Sequence, residues 1–457
     1  MELYPLPTSF VNLILALQPA FTSRAFGHLM ILLVGLLYGN STGKRTVWGC
    51  LRLFGEEQRK RFSNTHRFLS RSKWKMTTVG LLVVQLALSI LPPQPLLTFT
   101  MDETLTYRSG RKIYGRGRHY DGAGTPHRKG WRWGHVGFVG ALVGKVPGLG
   151  GKVLQWLTIP FAVHLYEPPE VAKGTSKKER RKVREGAWVA AARKMLEQVV
   201  GVGRAVAARV LIVVVDGSYA CQGFLGPACS LGVTVISRMR VDATLYGLPL
   251  EPEAGVKRRG RRKWYGEEWE KLPQIAAEES GWEEVEVTMY GHTRRLGVKT
   301  FLARWKSCPV TIRLYLINWQ PEKYSSFFCT DPDLPRVEVL ERIAARWGIE
   351  LGFREVKQGL GFREFQGRVE QSVKRGPVLA CVLYSLIQLW GYQQAKAGRK
   401  LTEALPWYDR GDDASWGDVV RALKREGVVE SLGAELAPHG VSREVVEGLS
   451  VVRLMTA

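Results

Sequence analysis

Along residues 1 to about 92 the apolar positions recur at helical spacing, and no run alternates as a half-buried strand would. The pattern predicts an all-helical domain over 1–92. Two runs in it are strongly apolar, LMILLVGLLYG from Leu29 and VGLLVVQLALSIL from Val79. Each is shorter than the roughly 20 residues that cross a bilayer, and the second carries Gln85 and stops at Pro92-Pro93. They read as buried core helices, which excludes a membrane protein built on them. From about 94 the period changes. PLLTFTMDETLTYRSGRKIYG predicts a strand, a turn at Ser109-Gly110 and a second strand; HVGFVGALVG and WLTIPFAVHLY predict two more. A helix with a very basic first turn follows in SKKERRKVREGAWVAAARKMLEQVV. The β-branched run Val210 to Val215 then reads as a strand buried on both faces, in the middle of a sheet, closing on Asp216. GVTVISRMRVDATLYG supplies the next strand.

Residues 247–334 read as a β-rich insertion of short strands separated by turn residues, opening with the basic loop VKRRGRRKWYG. A long helix is predicted over 335–358, and another in VEQSVKRGPVLACVLYSLIQLWGYQQ. The tail from 398 to 457 is predicted helical, with Ser415 and Asp418 at the spacing of a capping box. The organisation expected is therefore a helical domain (1–92), an α/β domain in two parts (93–246 and 335–397), the insertion between them and the tail.

Charge narrows the partner. Lys and Arg outnumber Asp and Glu by 66 to 42, a net +24, which over a whole chain points to a polyanion such as nucleic acid. The segment Glu56 to Lys75 interleaves Arg59, Arg61 and Arg67 with Phe62, Phe68 and Trp74, the composition of a helix lying on DNA phosphates. The loop residues Lys257, Arg258, Arg259, Arg261, Arg262 and Lys263 form a second basic cluster. The six cysteines are scattered without a CxxC pair, which argues against a zinc ribbon or a disulfide framework and suits a reducing cytosol. No signal peptide is read at the start. His119, His127 and His135 have no metal-ligand spacing and read as polar loop residues; Asp242 reads as a turn residue, and Asp121 and Asp331 as caps or turns.

The candidate chemistry lies in the acids. On a helix turning about 100° per residue, with Arg346 at zero, Glu350 falls near 40°, Arg354 near 80° and Lys357 near 20°. Ile349, Phe353, Val356 and Leu360 form the apolar face beside that stripe, and Glu355 falls near 180°, as a solvated neighbour. Taken alone, the stripe is equally well a ladder of i,i+4 ion pairs. Two further acids tip the reading. Asp216 ends a central strand, where a charge is costly unless used and where ligands sit, and Asp102 ends the apolar run Leu97, Phe99, Met101. Carboxylates are the ligands Mg²⁺ takes, one or two per ion with water and phosphate completing the shell. Two such ions can clamp the attacking and leaving oxygens of a phosphoryl transfer.

RWGIELGFREVKQ resembles the signature of DDE-type insertion-sequence transposases: tyrosine, two residues, arginine, three, glutamate, six, lysine. Arg346, Glu350 and Lys357 match it, while Ile343 stands at the tyrosine position. MDETLTYRSGRKIYGRGRHYDG and VVVDGSYACQGF look like the family's two aspartate segments, which puts those roles on Asp102 and Asp216. The resemblance covers roughly 95 to 395 and implies an RNase H-like catalytic core, a mixed sheet flanked by helices. It also implies catalytic, metal-holding roles for Asp102, Asp216 and Glu350, with two Mg²⁺ ions (Mn²⁺ as substitute). Arg346, Arg354 and Lys357 would contact DNA. The partners implied are double-stranded DNA, both inverted-repeat ends and target, and a second copy of the chain on that DNA, in a cytoplasmic, nucleoid-associated setting. A catalytically silent DNA-binding derivative and a purely hydrolytic nuclease are the alternatives.

Overall fold

The computed structural model describes residues 5–39, 44–122, 129–149, 152–172, 174–206, 210–249, 263–320, 323–402, 411 and 413–448. The chain divides into two compact units. One comprises Met1–Gln94, Glu103–Glu170 and Gly348–Ala457; the other comprises Pro95–Asp102 and Val171–Trp347.

The first unit opens with six helices: α1 (Thr8–Leu15), α2 (Ser23–Tyr38), α3 (Val47–Leu51), α4 (Glu56–Arg59), α5 (Phe62–Ser70) and α6 (Met76–Ile90). The apolar runs seen in the sequence are α2 and α6, and their buried residues, among them Leu29, Leu32, Val79 and Val83, are core. No helix among the described residues is long and apolar enough to cross a membrane. Strand β1 (Leu97–Tyr107) runs out of the second unit into the first, where it is followed by β2 (Gly117–Asp121), β3 (Gly130–Leu149) and β4 (Lys152–Tyr166). β3 and β4 form a long antiparallel hairpin from Val136↔Tyr166 to Leu149↔Lys152, with a register shift at Gly140/Ala141.

In the second unit α7 (Lys177–Val206), β5 (Leu211–Val215), α8 (Gln222–Ser230) and β6 (Thr234–Arg238) are followed by β7 (Leu245–Tyr246), α9 (Leu272–Ala277), β8 (Glu283–Met289), β9 (His292–Trp305), β10 (Ile312–Gln320), β11 (Lys323–Cys329) and α10 (Arg336–Ala345). The chain then returns to the first unit with α11 (Trp347–Gly359), α12 (Glu370–Lys396), α13 (Trp416–Leu436) and α14 (Arg443–Gly448). α12 is the axis of that unit. Its Ser385 Oγ donates to Pro160 O (2.6 Å), its Trp390 Nε1 to Ser9 Oγ (3.0 Å) and its Arg375 to Trp74 O (2.6 Å). Ser415 and Asp418 make the expected capping box at the start of α13.

β1 pairs parallel with β5, and β5 parallel with β6. The hydrogen-bonded order β4-β3-β1-β5-β6 is that of an RNase H-like core, so the mixed α/β class read from the sequence holds. The insertion extends the same sheet: β11 pairs antiparallel with β6 through Cys329↔Ile236, and β10, β9 and β8 follow outward.

Several expectations change. Arg111 to Tyr114 is not a strand: Gly115 adopts φ 65°, which breaks an extended run, and Tyr114 N donates to Arg368 O (3.0 Å) instead of to a partner strand; the second strand begins only at Gly117. The helix expected over 335–358 is two helices that meet at Arg346. Segment 56–75 is likewise α4 and α5. Phe68 and Trp74 in it are 1% and 5% exposed and stack on each other at 5.5 Å, so they pack the interior instead of facing DNA.

Candidate active site

Register brings two of the acids level. Leu97 to Met101 of β1 lie beside Leu211 to Val215 of β5, pairing Met101 with Val215, and the next residue on each strand is Asp102 and Asp216. All five residues of β5 are buried, as its unbroken apolar run requires, and the chain meets solvent at Asp216. The backbone of Asp216 is fixed: its carbonyl accepts from Tyr219 N (3.1 Å) and Ser237 Oγ (3.0 Å). It sits at the N-cap of a 3₁₀ turn, Gly217–Tyr219, yet its side chain makes no capping bond. The carboxylate is therefore exposed at the strand end and not consumed by the local fold.

Asp102 is held differently. Arg346 Nη1 stands 3.5 Å from Asp102 Oδ2, and both side chains are largely covered, at 20% and 16% exposure. Arg346 thus pairs with the first aspartate. A cleft of about 180 Å³ opens at this end of the sheet, lined by Asp216, Ser237, Arg238, Tyr290, Ile343 and Arg346 among others. Ile343, at the signature's tyrosine position, is 8% exposed and belongs to the core that packs α10 on the sheet. Sequence reasoning missed Arg238 and Tyr290. Tyr290 sits in the β8–β9 turn with φ 53°, and the dipeptide Tyr-Gly before His292 was the signal for that turn.

Glu350 is half-buried on α11, in the first unit, four residues beyond Arg346. Among the described residues no three His, Cys, Asp or Glu side chains gather closely enough to hold a metal ion. The structure thus brings Asp102 and Asp216 level and Arg346 to Asp102. Two level carboxylates with a cleft beside them still suit a Mg²⁺ or Mn²⁺ ion that completes its shell with water and phosphate. Glu355 is not solvated, as the helical wheel had it. Its side chain is 16% exposed and Arg354 Nη2 lies 2.7 Å from its Oε1. The cause is close packing on that flank of α11: a Cβ on Gly348 would stand 2.1 Å from Thr158 Oγ1, and one on Gly352 3.6 Å from Tyr384. Lys357 lies 6.0 Å over the Phe353 ring.

Arg59, Arg61 and Arg67 are exposed, though Arg59 also donates to Phe54 O (3.0 Å) and Arg52 O (3.2 Å). Lys263 is exposed; Lys257, Arg258, Arg259, Arg261 and Arg262 lie outside the described residues, as does His127. His119 and His135 are buried strand residues, 9% and 4% exposed, and not loop residues; the His135 ring is covered where its Nε2 meets Tyr114 O at 2.8 Å. Asp242 is a turn residue gripped by Arg240 at 2.7 and 2.9 Å, Asp121 accepts from the Tyr107 hydroxyl, and Asp331 caps Asp333 N (3.0 Å).

Among solved structures, one described as a piggyBac transposase synaptic complex with hairpin DNA is similar at 9% identity, covering 97% of this chain and 80% of that one. Its TM-score of 0.40 is too low to bear on function. No curated protein matches. The sequence pattern of the DDE superfamily endonucleases matches residues 16–301, well over half of the chain; it includes Asp102 and Asp216 and ends before Glu350. The chain belongs to the DDE superfamily endonuclease family.

Proposed function

We propose that this endonuclease is a DNA transposase, which cleaves DNA at the inverted-repeat ends of an insertion sequence and joins those ends to target DNA. The observation that carries the reading is the register of β1 with β5, which ends at Met101↔Val215 and leaves Asp102 and Asp216 as the next residues side by side, with Arg346 on the first. Bound divalent cations, Mg²⁺ or Mn²⁺, would supply positive charge to the attacking and leaving oxygens of the phosphate. The protein's own residues do the rest. Asp102 and Asp216 offer the oxygen donors, and the paired strands β1 and β5 keep them from shifting as charge develops. Arg346 orients the Asp102 carboxylate. Glu350 is proposed as the third donor, and Arg346, Arg354 and Lys357 as neutralising groups for backbone phosphates near the scissile bond. The working assembly is proposed to be a dimer on the paired ends, at the nucleoid.

The test is to incubate purified protein with the DNA flanking its own gene, with and without Mg²⁺, and to map nicks and joined products. Asp102→Asn and Asp216→Asn should each abolish both products while DNA binding persists. Nicks without any joined product would favour a hydrolytic nuclease, and binding without nicks a silent derivative.

A further inference from the structure

A second surface, in the first unit alone, has its own chemistry. The turn after β1 and the segment after α11 enclose a groove of about 930 Å³. Its walls are tied together: Arg108 Nη1 donates to Arg363 O, and Tyr114 N to Arg368 O (3.0 Å). Arg111, Lys112, Arg363 and Arg368 line it with exposed side chains, and among the described residues none of the four makes an ion pair or side-chain hydrogen bond. The one acid in the lining, Glu364, accepts from Arg45 N (2.6 Å) and has the Arg45 guanidinium 4.0 Å away. Four uncompensated cations around one groove attract a polyanion.

Beside the groove lies the β2–β3 hairpin, joined to it through Tyr107, which lines the groove and donates its hydroxyl to Asp121 of β2. Cross-strand partners share a face, and the pairs Arg118↔Trp133 and Tyr120↔Trp131 are on the outward one. Trp131, Trp133 and Tyr120 are 48%, 49% and 59% exposed, which no core role explains. Arg116 lies over the Trp133 ring at 4.2 Å, and Tyr120 meets Trp131 edge-on at 6.0 Å. β2 is the last strand of its sheet. A row of partly exposed aromatic rings with arginines, next to a cationic track, is the combination that binds unpaired strands: bases stack on rings while phosphates follow the cations. A closed duplex has its bases stacked already and cannot use the rings.

We propose that the β2–β3 face and the adjoining basic groove bind an unpaired DNA strand, by base stacking on Tyr120, Trp131 and Trp133 and phosphate contacts to Arg111, Lys112, Arg363 and Arg368. The surface stands on its own geometry; only the choice of DNA over RNA rests on the proposed function. It lies apart from the acids in chemistry, so binding is read without metal and without cleavage.

The experiment is fluorescence anisotropy of the full chain with labelled oligothymidine of about 16 nucleotides, the matching RNA oligomer and a duplex of equal length, all in EDTA. Trp131→Ala/Trp133→Ala should weaken oligothymidine binding on the order of tenfold or more and leave the duplex nearly unchanged. Trp131→Phe/Trp133→Phe, which keeps the rings, should restore it, and this guards against a folding defect. Arg111→Ala/Lys112→Ala/Arg363→Ala/Arg368→Ala should weaken strand binding and flatten its salt dependence. Unchanged oligothymidine affinity in the tryptophan variant overturns the proposal, as does equal loss for duplex. Preference for the RNA strand overturns its DNA assignment alone. Absence of Mg²⁺-dependent nicking by the parent chain, with oligothymidine binding in EDTA intact, would count against the proposed function and leave this surface standing.

Discussion

Glu350 and Glu355 are five residues apart on one helix. Glu355 is covered, ion-paired to the more exposed Arg354 and set against Tyr384 and Gln388 in a cavity of about 490 Å³. Its role there is structural. Glu355→Gln should keep strand cleavage and cost stability by no more than about 1 kcal/mol, since Arg354 is 59% exposed and water screens the pair. Glu350→Gln should abolish cleavage with DNA binding retained, because an amide is a poor Mg²⁺ ligand. Nicking assays with thermal melts on both variants decide; loss of cleavage in the Glu355 variant alone would reverse the assignment. A second residue-scale effect concerns pH. Burial pushes His135 down from 6.5 to about 4, with the Arg108, His119 and Arg116 charges adding to it. Its Nε2–H donates to Tyr114 O (2.8 Å), and Arg108 Nε approaches Nδ1 at 3.4 Å, so a second proton has no place to go. Because the folded value is the lower one, the unfolded chain takes up the proton first. Stability is then fully present above about pH 6.5 and is lost as pH falls towards 4, by an amount of order 3 kcal/mol. His135→Gln should show a shallower loss over that window in urea melts; an identical slope would remove His135 as a source.

At the scale of elements, the face of α11 carrying Gly348 and Gly352 explains why a helix can lie so close to β4 and α12. An alanine methyl at 348 would stand 2.1 Å from Thr158 Oγ1 and 3.3 Å from Thr158 Cβ. Gly348→Ala should therefore destabilise by about 1–3 kcal/mol despite alanine's better helix propensity. Removing the hydroxyl leaves only the 3.3 Å contact, so Gly348→Ala/Thr158→Ala should recover most of the loss in denaturant melts. Full additivity of the two changes would show that this contact is not the cause. No helical wheel could have revealed the packing, because a wheel knows angles and not neighbours; that is why Glu355 read as solvated. The same limit explains Phe68 and Trp74, whose spacing fits a DNA-facing helix as well as a buried one. By contrast, β5 was legible because its unbroken apolar run, rich in Val and Ile, reads as a central strand, and Asp216 was legible because it closes that run. Asp102 needed more. Its level position beside Asp216 follows from strand register, a long-range property that one sequence does not contain.

For the whole molecule, +24 over 457 residues predicts that DNA affinity falls steeply with salt, by about 0.9 log unit per log of salt for each phosphate neutralised. Which cations matter is a separate question, and the packing of the first unit decides how it can be asked. The obvious trial for the N-terminal helices as a DNA reader is a chain that begins near residue 94. That chain would lose α1 to α6, whose contacts with the rest of the unit are extensive. Trp390 of α12 would lose Ser9, buried Arg375 would lose the carbonyls of Leu69 and Trp74 and the Trp74 ring at 4.4 Å, and Gly80 would leave the backbone of Phe161 bare. An uncompensated buried arginine alone is costly, and α12 would present its apolar face to water. The truncated chain should therefore be insoluble or lack a cooperative melt. A soluble, cooperatively melting fragment from residue 94 would show that the helical region is a separable domain after all. The DNA role is better tested on the surface, with Arg59→Ala/Arg61→Ala/Arg67→Ala in the full chain. That variant should melt like the parent and lose affinity for duplex of any sequence, with a salt slope reduced by roughly one unit per phosphate contact removed. If its affinity and slope both match the parent, α4 and α5 serve as a support for α12, and the cations that hold DNA lie elsewhere.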